Sequence, residues 1–138
     1  MQLEPQRILV AITGTVEGQR ALEHGIRLAE LIGAALIGLV VEGRLPTAPA
    51  TVAEVDDAHR AREPFFDTIT TLAVDQAAEH GIELEIHRRP GPFVRAVCRE
   101  AHASVVDLVI IGRPRSILGL PRVASLTHRL DCPLLLTP

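Results

Sequence analysis

The sequence predicts an α/β fold: a doubly wound, five-stranded parallel sheet that carries helices on both faces. Short, uninterrupted apolar runs alternate with longer segments of helical periodicity along all 138 residues. Strands buried on both faces have such apolar runs, and alternation of strands with helices gives right-handed crossovers in a parallel sheet. Every apolar run is also shorter than the roughly 20 residues that a membrane span needs. One soluble domain covering residues 1–138 is therefore expected.

The first half of the chain is predicted to hold two strands and two helices. The apolar run 7–12 predicts strand β1, which ends in the turn residues Thr13-Gly14-Thr15. Apolar residues at helical spacing predict helix α1, and Gly33 follows it as a C-cap. Glycine and prolines in 42–55 predict a loop, and Pro64 is expected to kink or restart the second helix. The remaining bounds are 17–32 for α1, 35–41 for strand β2 and 56–80 for helix α2.

The second half is predicted to hold three strands and two helices. Residues 82–87 alternate between apolar and polar, which is typical of a strand with one covered face, so β3 is expected at an edge of the sheet. Helix α4 is predicted to begin at Pro121, because the missing N–H of proline costs nothing in a first turn. The other elements are helix α3 at 92–103, strand β4 at 106–111 and strand β5 at 133–136.

Composition and charge exclude several classes of partner. The net charge of −3 gives no general attraction to nucleic acid or to an anionic membrane, and Trp and Tyr, which stack on bases, are absent. The first residues have no apolar run of the secretory type, which predicts a cytoplasmic protein. Cys98 and Cys132 lie far apart in the sequence, which favours free thiols in a reducing compartment.

No arrangement of residues indicates an enzyme. The sequence has no G-x-S-x-G elbow and no G-x-x-x-x-G-K phosphate loop, and its six histidines lack metal-ligand spacing. A non-catalytic protein without a bound metal is therefore predicted.

Four segments stand out by their order and spacing: 8–12, 90–97, 106–112 and 132–136. Together they resemble the universal stress protein family over nearly the whole chain. The resemblance implies the strand order 3-2-1-4-5, with β1 and β4 side by side where the winding direction reverses. In open α/β sheets, ligands bind outside the carboxyl ends of the strands at this point.

The residues around these strand ends form the candidate site, for which the resemblance implies ATP or AMP as the ligand. They follow β1, follow β4 or begin α4, and they are Thr13, Gly14, Thr15, Gly112, Arg113, Arg115, Ser116, Gly119 and Arg122.

The phosphate-binding pattern of the family is altered in this chain. Nucleotide-binding members carry Asp just after β1 and a G-x2-G-x9-G-[S/T] loop after β4, in which glycines let backbone N–H groups close on phosphate oxygens. Here Thr13 replaces the Asp, Gly112 matches the first glycine and Arg115 replaces the second. Gly119 comes too early and is followed by Leu120. These departures predict that ATP binding is weakened or lost.

An alternative hypothesis is that the altered site still binds nucleotide. Arg113, Arg115 and Arg122 would then clamp phosphate groups through their side chains, helped by the dipole at the start of α4. The chain would be a nucleotide-sensing binding protein, whereas a merely solvated loop would place the same arginines in water.

The last strand predicts a partner. Leu134, Leu135 and Leu136 would form an edge strand without charge or bulge, and such an edge is normally covered. The resemblance implies a homodimer through this strand, although the preceding loop is another candidate cover. The leading hypothesis is a homodimeric, non-catalytic regulatory domain that acts by partner association, with a transporter or a larger regulator as a further candidate partner.

Overall fold

The structure is a computed structural model that describes residues 5–42 and 52–138, with side chains described for 5–42 and 63–138. Strands and helices alternate along the chain, and a short 3₁₀ turn, Ile117–Gly119, precedes the last helix. The strands are β1 (Arg7–Ile12), β2 (Ala35–Glu42), β3 (Leu84–Pro90), β4 (Leu108–Gly112) and β5 (Leu134–Thr137). The helices are α1 (Val16–Ile32), α2 (Val52–Glu79), α3 (Phe93–Ala103) and α4 (Leu120–Arg129).

The five strands form one parallel sheet in the order β3-β2-β1-β4-β5. The predicted fold class and strand order are confirmed. β1 lies at the centre, paired with β2 from Arg7 to Ile12 and with β4 from Ile8 to Val10. The carboxyl ends of β1 and β4 are therefore adjacent.

Two apolar layers cover the sheet, one on each face. Ile8, Val10 and Ile12 of β1 pack in the layer formed with α1 and α2. Leu9 and Ala11 face the opposite layer, formed with α3 and α4. This alternation follows from the period of two along a strand, and it explains why β1 is apolar at every buried position.

The predicted bounds of α2, β3 and β4 are wrong, and β4 begins at Leu108 where residue 106 was predicted. Helix α2 begins at Val52, whereas the loop was expected to run to 55, and the helix continues through Pro64 without a restart. Residues 43–51 of that loop lie outside the described residues. Strand β3 spans Leu84–Pro90, because its pairing with β2 continues to the pair of Glu42 with Pro90.

Arg88 and Arg89 therefore lie within β3, beyond the predicted end of the strand at residue 87. The Arg88 guanidinium contacts three carboxylates: Nε lies 3.1 Å from Oε1 of Glu42, Nη1 lies 2.6 Å from Oδ1 of Asp67, and Nη2 lies 3.4 Å from Oε2 of Glu63. These ion pairs attach the edge strand to β2 and α2.

A buried carboxylate joins β3 to α3. The Glu100 side chain is 1% exposed, and it accepts hydrogen bonds from Ser104 Oγ at 2.6 Å and Arg89 Nε at 3.1 Å. His87 Nδ1 lies 2.8 Å from Oε2 of Glu100, and His87 Nε2 lies 3.4 Å from Oε1 of Glu85. An isolated buried carboxylate would be strongly destabilising, and these partners offset that cost.

The same contacts shift two pKa values. Burial acts to raise the pKa of Glu100, but Ser104, His87 and the charge of Arg89 outweigh burial, so the pKa is lowered from its ordinary 4.5. The pKa of His87 is raised from 6.5. The hydrogen bond with Glu100 has the largest effect, burial acts in the opposite direction, and Glu85 raises the pKa further.

These shifts predict a pH-dependent stability. The contribution of His87 is fully present below pH 6.5 and is lost as the pH rises through its raised folded pKa. That of Glu100 is present above pH 4.5 and is lost as the pH falls through its lowered folded pKa. We expect the free energy of unfolding to fall between about pH 6 and about pH 8.5, and His87→Gln to reduce that fall.

Urea unfolding at the two pH values measures the effect. His102→Gln, which alters an exposed histidine of α3, is the matched control and should retain the wild-type dependence. An equal fall in His87→Gln and wild type would contradict the prediction.

Candidate functional site

A small cleft of about 190 Å³ lies between the carboxyl ends of β1 and β4. The start of α1 forms one wall, and the residues between β4 and α4 form the other. Seven of the nine predicted residues line it: Thr13, Thr15, Gly112, Arg113, Arg115, Gly119 and Arg122. Gly14 lines the neighbouring groove between α1 and α2, and Ser116 lies outside the lining, at the N-cap of the 3₁₀ turn.

In the wall that follows β1, the polar side chains form hydrogen bonds with each other and with the start of α1. Thr15 is the N-cap of α1, and its Oγ1 accepts a hydrogen bond of 3.1 Å from the backbone N–H of Gly18. The hydroxyl groups of Thr13 and Thr15 are 2.7 Å apart and share a hydrogen bond. The N-cap therefore engages one of the first-turn N–H groups of α1, and Thr13 brings no carboxylate to the cleft.

The glycine that ends β4 is required by helix packing. A Cβ at Gly112 would collide with the backbone carbonyl group of Glu17 in the first turn of α1. The Cβ of any residue at position 119 would likewise collide with Pro114. Both glycines are thus explained by close approach within the chain, without a phosphate ligand.

An ion pair joins the two walls. Arg115 Nε lies 2.7 Å from Oε1 of Glu17, whose side chain is only 18% exposed. The pair connects the start of α1 to the segment after β4. It partly compensates the charge of Arg115, whose side chain is 79% exposed, and it places a carboxylate in the lining of the cleft.

Glu17 lines the cleft, but it was not among the residues predicted from the sequence. The available signal was an acidic residue directly after the Thr13-Gly14-Thr15 turn, where the first turn of a helix favours negative charge. Only the sheet topology brings this position next to Arg115.

Arg122 and Arg113, the other two arginines predicted to hold phosphate, differ in their contacts. The Arg122 guanidinium lies over the Phe93 ring, with its Cζ 4.6 Å from the ring centroid, which is a cation–π contact between α4 and α3. The Arg113 side chain is exposed and has no ion pair with any residue whose side chain the structure describes. Two of the three arginines are therefore engaged within the protein.

The cleft by itself is small. Pockets for small ligands usually enclose about 300–1,000 Å³, which is more than this cleft alone offers, although the adjoining groove of about 470 Å³ shares Thr13, Thr15 and Gly18 with it. Nowhere in the described residues do three or more His, Cys, Asp or Glu side chains gather as a metal site would require. No helix in the described part of the chain is both long and apolar enough to cross a membrane.

Comparison with known families agrees with this architecture. The model of the universal stress protein family matches residues 4–138. The chain belongs to the universal stress protein family. A search of curated protein sequences gives no significant match.

Solved universal stress proteins share the fold. A family member from Burkholderia pseudomallei has a TM-score of 0.78 at 18% identity, covering 100% of this chain and 99% of that one. UspA from Lactobacillus plantarum has a TM-score of 0.79 at 16% identity, with coverages of 99% and 100%. A family protein from Arabidopsis thaliana with AMP bound has a TM-score of 0.71 at 17% identity, with coverages of 96% and 90%. At these identities the likeness establishes the fold.

Proposed function

We propose that this universal stress protein is a non-catalytic, cytoplasmic regulatory domain that acts as a homodimer through partner association, with nucleotide binding weakened or lost. The observation that carries the nucleotide part is the ion pair of Glu17 with Arg115 in the small cleft at the ends of β1 and β4. The free cysteines Cys98 and Cys132 support a reducing compartment.

The small volume of the cleft itself and the contacts of its arginines oppose a nucleotide. Arg115 Nε is paired with Glu17 and Arg122 lies over Phe93, so a phosphate would compete with contacts that two of the three arginines already make. A phosphate held by the remaining N–H groups of Arg115 would also lie close to the Glu17 carboxylate, which repels it. The Thr13 hydroxyl replaces the Asp that the family uses for the nucleoside.

The second candidate is a nucleotide sensor that uses Arg113, Arg115 and Arg122. The AMP bound to the Arabidopsis thaliana protein favours it, because that protein shares this fold. In the sensor, Arg115 would be a phosphate ligand, whereas in our proposal it is the partner of Glu17.

Two substitutions separate these candidates. We expect Glu17→Gln to show saturable AMP binding that the wild type lacks, because it removes the repelling charge and frees Arg115 for a charge-assisted hydrogen bond. Arg115→Ala should, like the wild type, give no saturable heat. Calorimetric titration with AMP measures both variants.

Glu23→Gln is the matched control, since it removes an exposed carboxylate from α1 outside the cleft. A wild-type protein that binds AMP and an Arg115→Ala variant that does not would favour the sensor and contradict our proposal.

Association is proposed through the outer edge of β5. This strand ends the sheet, and Leu135 and Leu136 are 40% and 38% exposed. The opposite edge, β3, carries Glu85, His87 and two arginines, and charged residues discourage pairing along an edge. The apolar β5 edge is therefore the better surface for a second copy of the chain. A transporter or larger regulator remains a further proposed partner, to be sought by pull-down with and without nucleotide.

A further inference from the structure

A second pocket, of about 500 Å³, lies beside the connection between β3 and α3. It shares no lining residue with the cleft between β1 and β4. On α3, Phe93 lines the first cleft, whereas Arg95 and Arg99 line this pocket from the opposite side of the helix. Arg89 and the turn Pro90-Gly91-Pro92 complete the arginine-rich wall.

Arg89 is held in place from within the protein. Its Nε donates to Oε1 of Glu100 at 3.1 Å, and its Nη1 donates to the carbonyl oxygen of Arg88 at 3.4 Å. The side chain is nevertheless 55% exposed, so part of the guanidinium faces the pocket. Such a fixed guanidinium loses little freedom when it binds an anion.

Arg95 and Arg99 have no such partners. They lie one helical turn apart on α3 and are exposed, and neither forms an ion pair with a residue whose side chain the structure describes. Like charges at this spacing repel each other and destabilise a helix. In a chain with a net charge of −3, an unpaired arginine couple at the mouth of a pocket points to an external anion.

The lining of the pocket is positive overall. Three arginines face a single carboxylate, that of Glu100, which gives a net charge of two positive. The start of α3 adds to this potential, because its N-cap, Pro92, provides no side-chain hydrogen bond and its first turn holds no acidic residue.

We propose that this pocket binds a compact, soluble ligand with at least two phosphate groups, held by Arg89, Arg95 and Arg99. Guanidinium groups bind phosphate oxygens in pairs, and three of them around one concavity match several phosphates better than a single one. The volume lies within the usual range for small-molecule pockets. This site is independent of nucleotide binding at the other cleft.

Inorganic tripolyphosphate is a suitable probe, titrated into the full chain by calorimetry at physiological salt. The expected result is saturable binding, tighter than that of single inorganic phosphate. Arg95→Ala/Arg99→Ala should weaken it by about a hundredfold, or about tenfold for each charged hydrogen-bonding group removed. Arg95→Lys/Arg99→Lys should weaken it less, because charge remains while the paired geometry is lost.

Arg20→Ala/Arg27→Ala is the matched control, because it removes two exposed arginines from α1 on the opposite face of the sheet. The thermal unfolding midpoint of each variant shows whether it is folded. If a double variant does not fold, the two single substitutions are titrated in its place. Absence of saturable binding, or equal weakening in the control, would overturn the proposal. Weakening by Arg122→Ala without weakening by the α3 substitutions would also overturn it, since the probe would then occupy the other cleft.

Discussion

Replacement of Leu135 by lysine is expected to abolish the proposed homodimer and to leave a monomer. Leu135 lies in the last strand of the sheet, where the outer backbone groups face no other strand among the described residues. Its exposed side chain would be buried in an interface formed along this edge. A charge placed there must be desolvated without a partner, and charged residues on an edge strand oppose pairing.

Sedimentation velocity measures this change as a fall in mass to that of one chain. Leu31→Lys is the matched control, because Leu31 is a highly exposed leucine on α1, away from the β5 edge, and it should leave the dimer intact. A Leu135→Lys protein that stays dimeric would rule out the β5 interface.

Gly112→Ala is expected to be the most destabilising of the single methyl additions at the cleft. The new Cβ would meet the backbone of Glu17, and a backbone group at the start of a packed helix cannot move aside as a flexible side chain does. Overpacking of this kind costs about 1–3 kcal/mol. For a chain of this length the melting temperature falls by roughly 4 °C per kcal/mol.

Calorimetric melting of ligand-free protein tests this prediction, and Gly25→Ala provides the control. A Cβ at Gly25 would make only ordinary contacts with Leu36 and Val10, and alanine is favoured over glycine inside a helix by up to about 1 kcal/mol. An unchanged melting temperature for Gly112→Ala would show that α1 and β4 separate easily, which would remove the packing explanation for this glycine.

The strands at the centre of the sheet were predictable because their environment is uniform. Residues 8–12 of β1 are buried on both faces, so hydrophobicity alone marks the strand. At the β3 edge the signal fails, since Arg88 and Arg89 are polar and are extended only because β2 pairs with them. Their ion pairs with Glu42, Asp67 and Glu100 depend on residues distant in the sequence.

The position of the cleft was also predictable, but its contents were not. Parallel topology places Thr13 and Gly112 at neighbouring strand ends, and seven of the nine predicted residues line the cleft. The pairing of Glu17 with Arg115 depends on the path of the segment after β4, which turns through a 3₁₀ turn that no local pattern predicts. The contact of Arg122 with Phe93 likewise requires the packing of α4 beside α3.

Calorimetric titration of purified, nucleotide-stripped protein with ATP and with AMP determines whether the cleft between β1 and β4 binds nucleotide. Because the Glu17 carboxylate pairs with Arg115 in a cleft of about 190 Å³, we expect no saturable heat and no shift in melting temperature with either nucleotide. Micromolar binding of either nucleotide would contradict the account and would make this chain a nucleotide sensor that uses an arginine-containing loop.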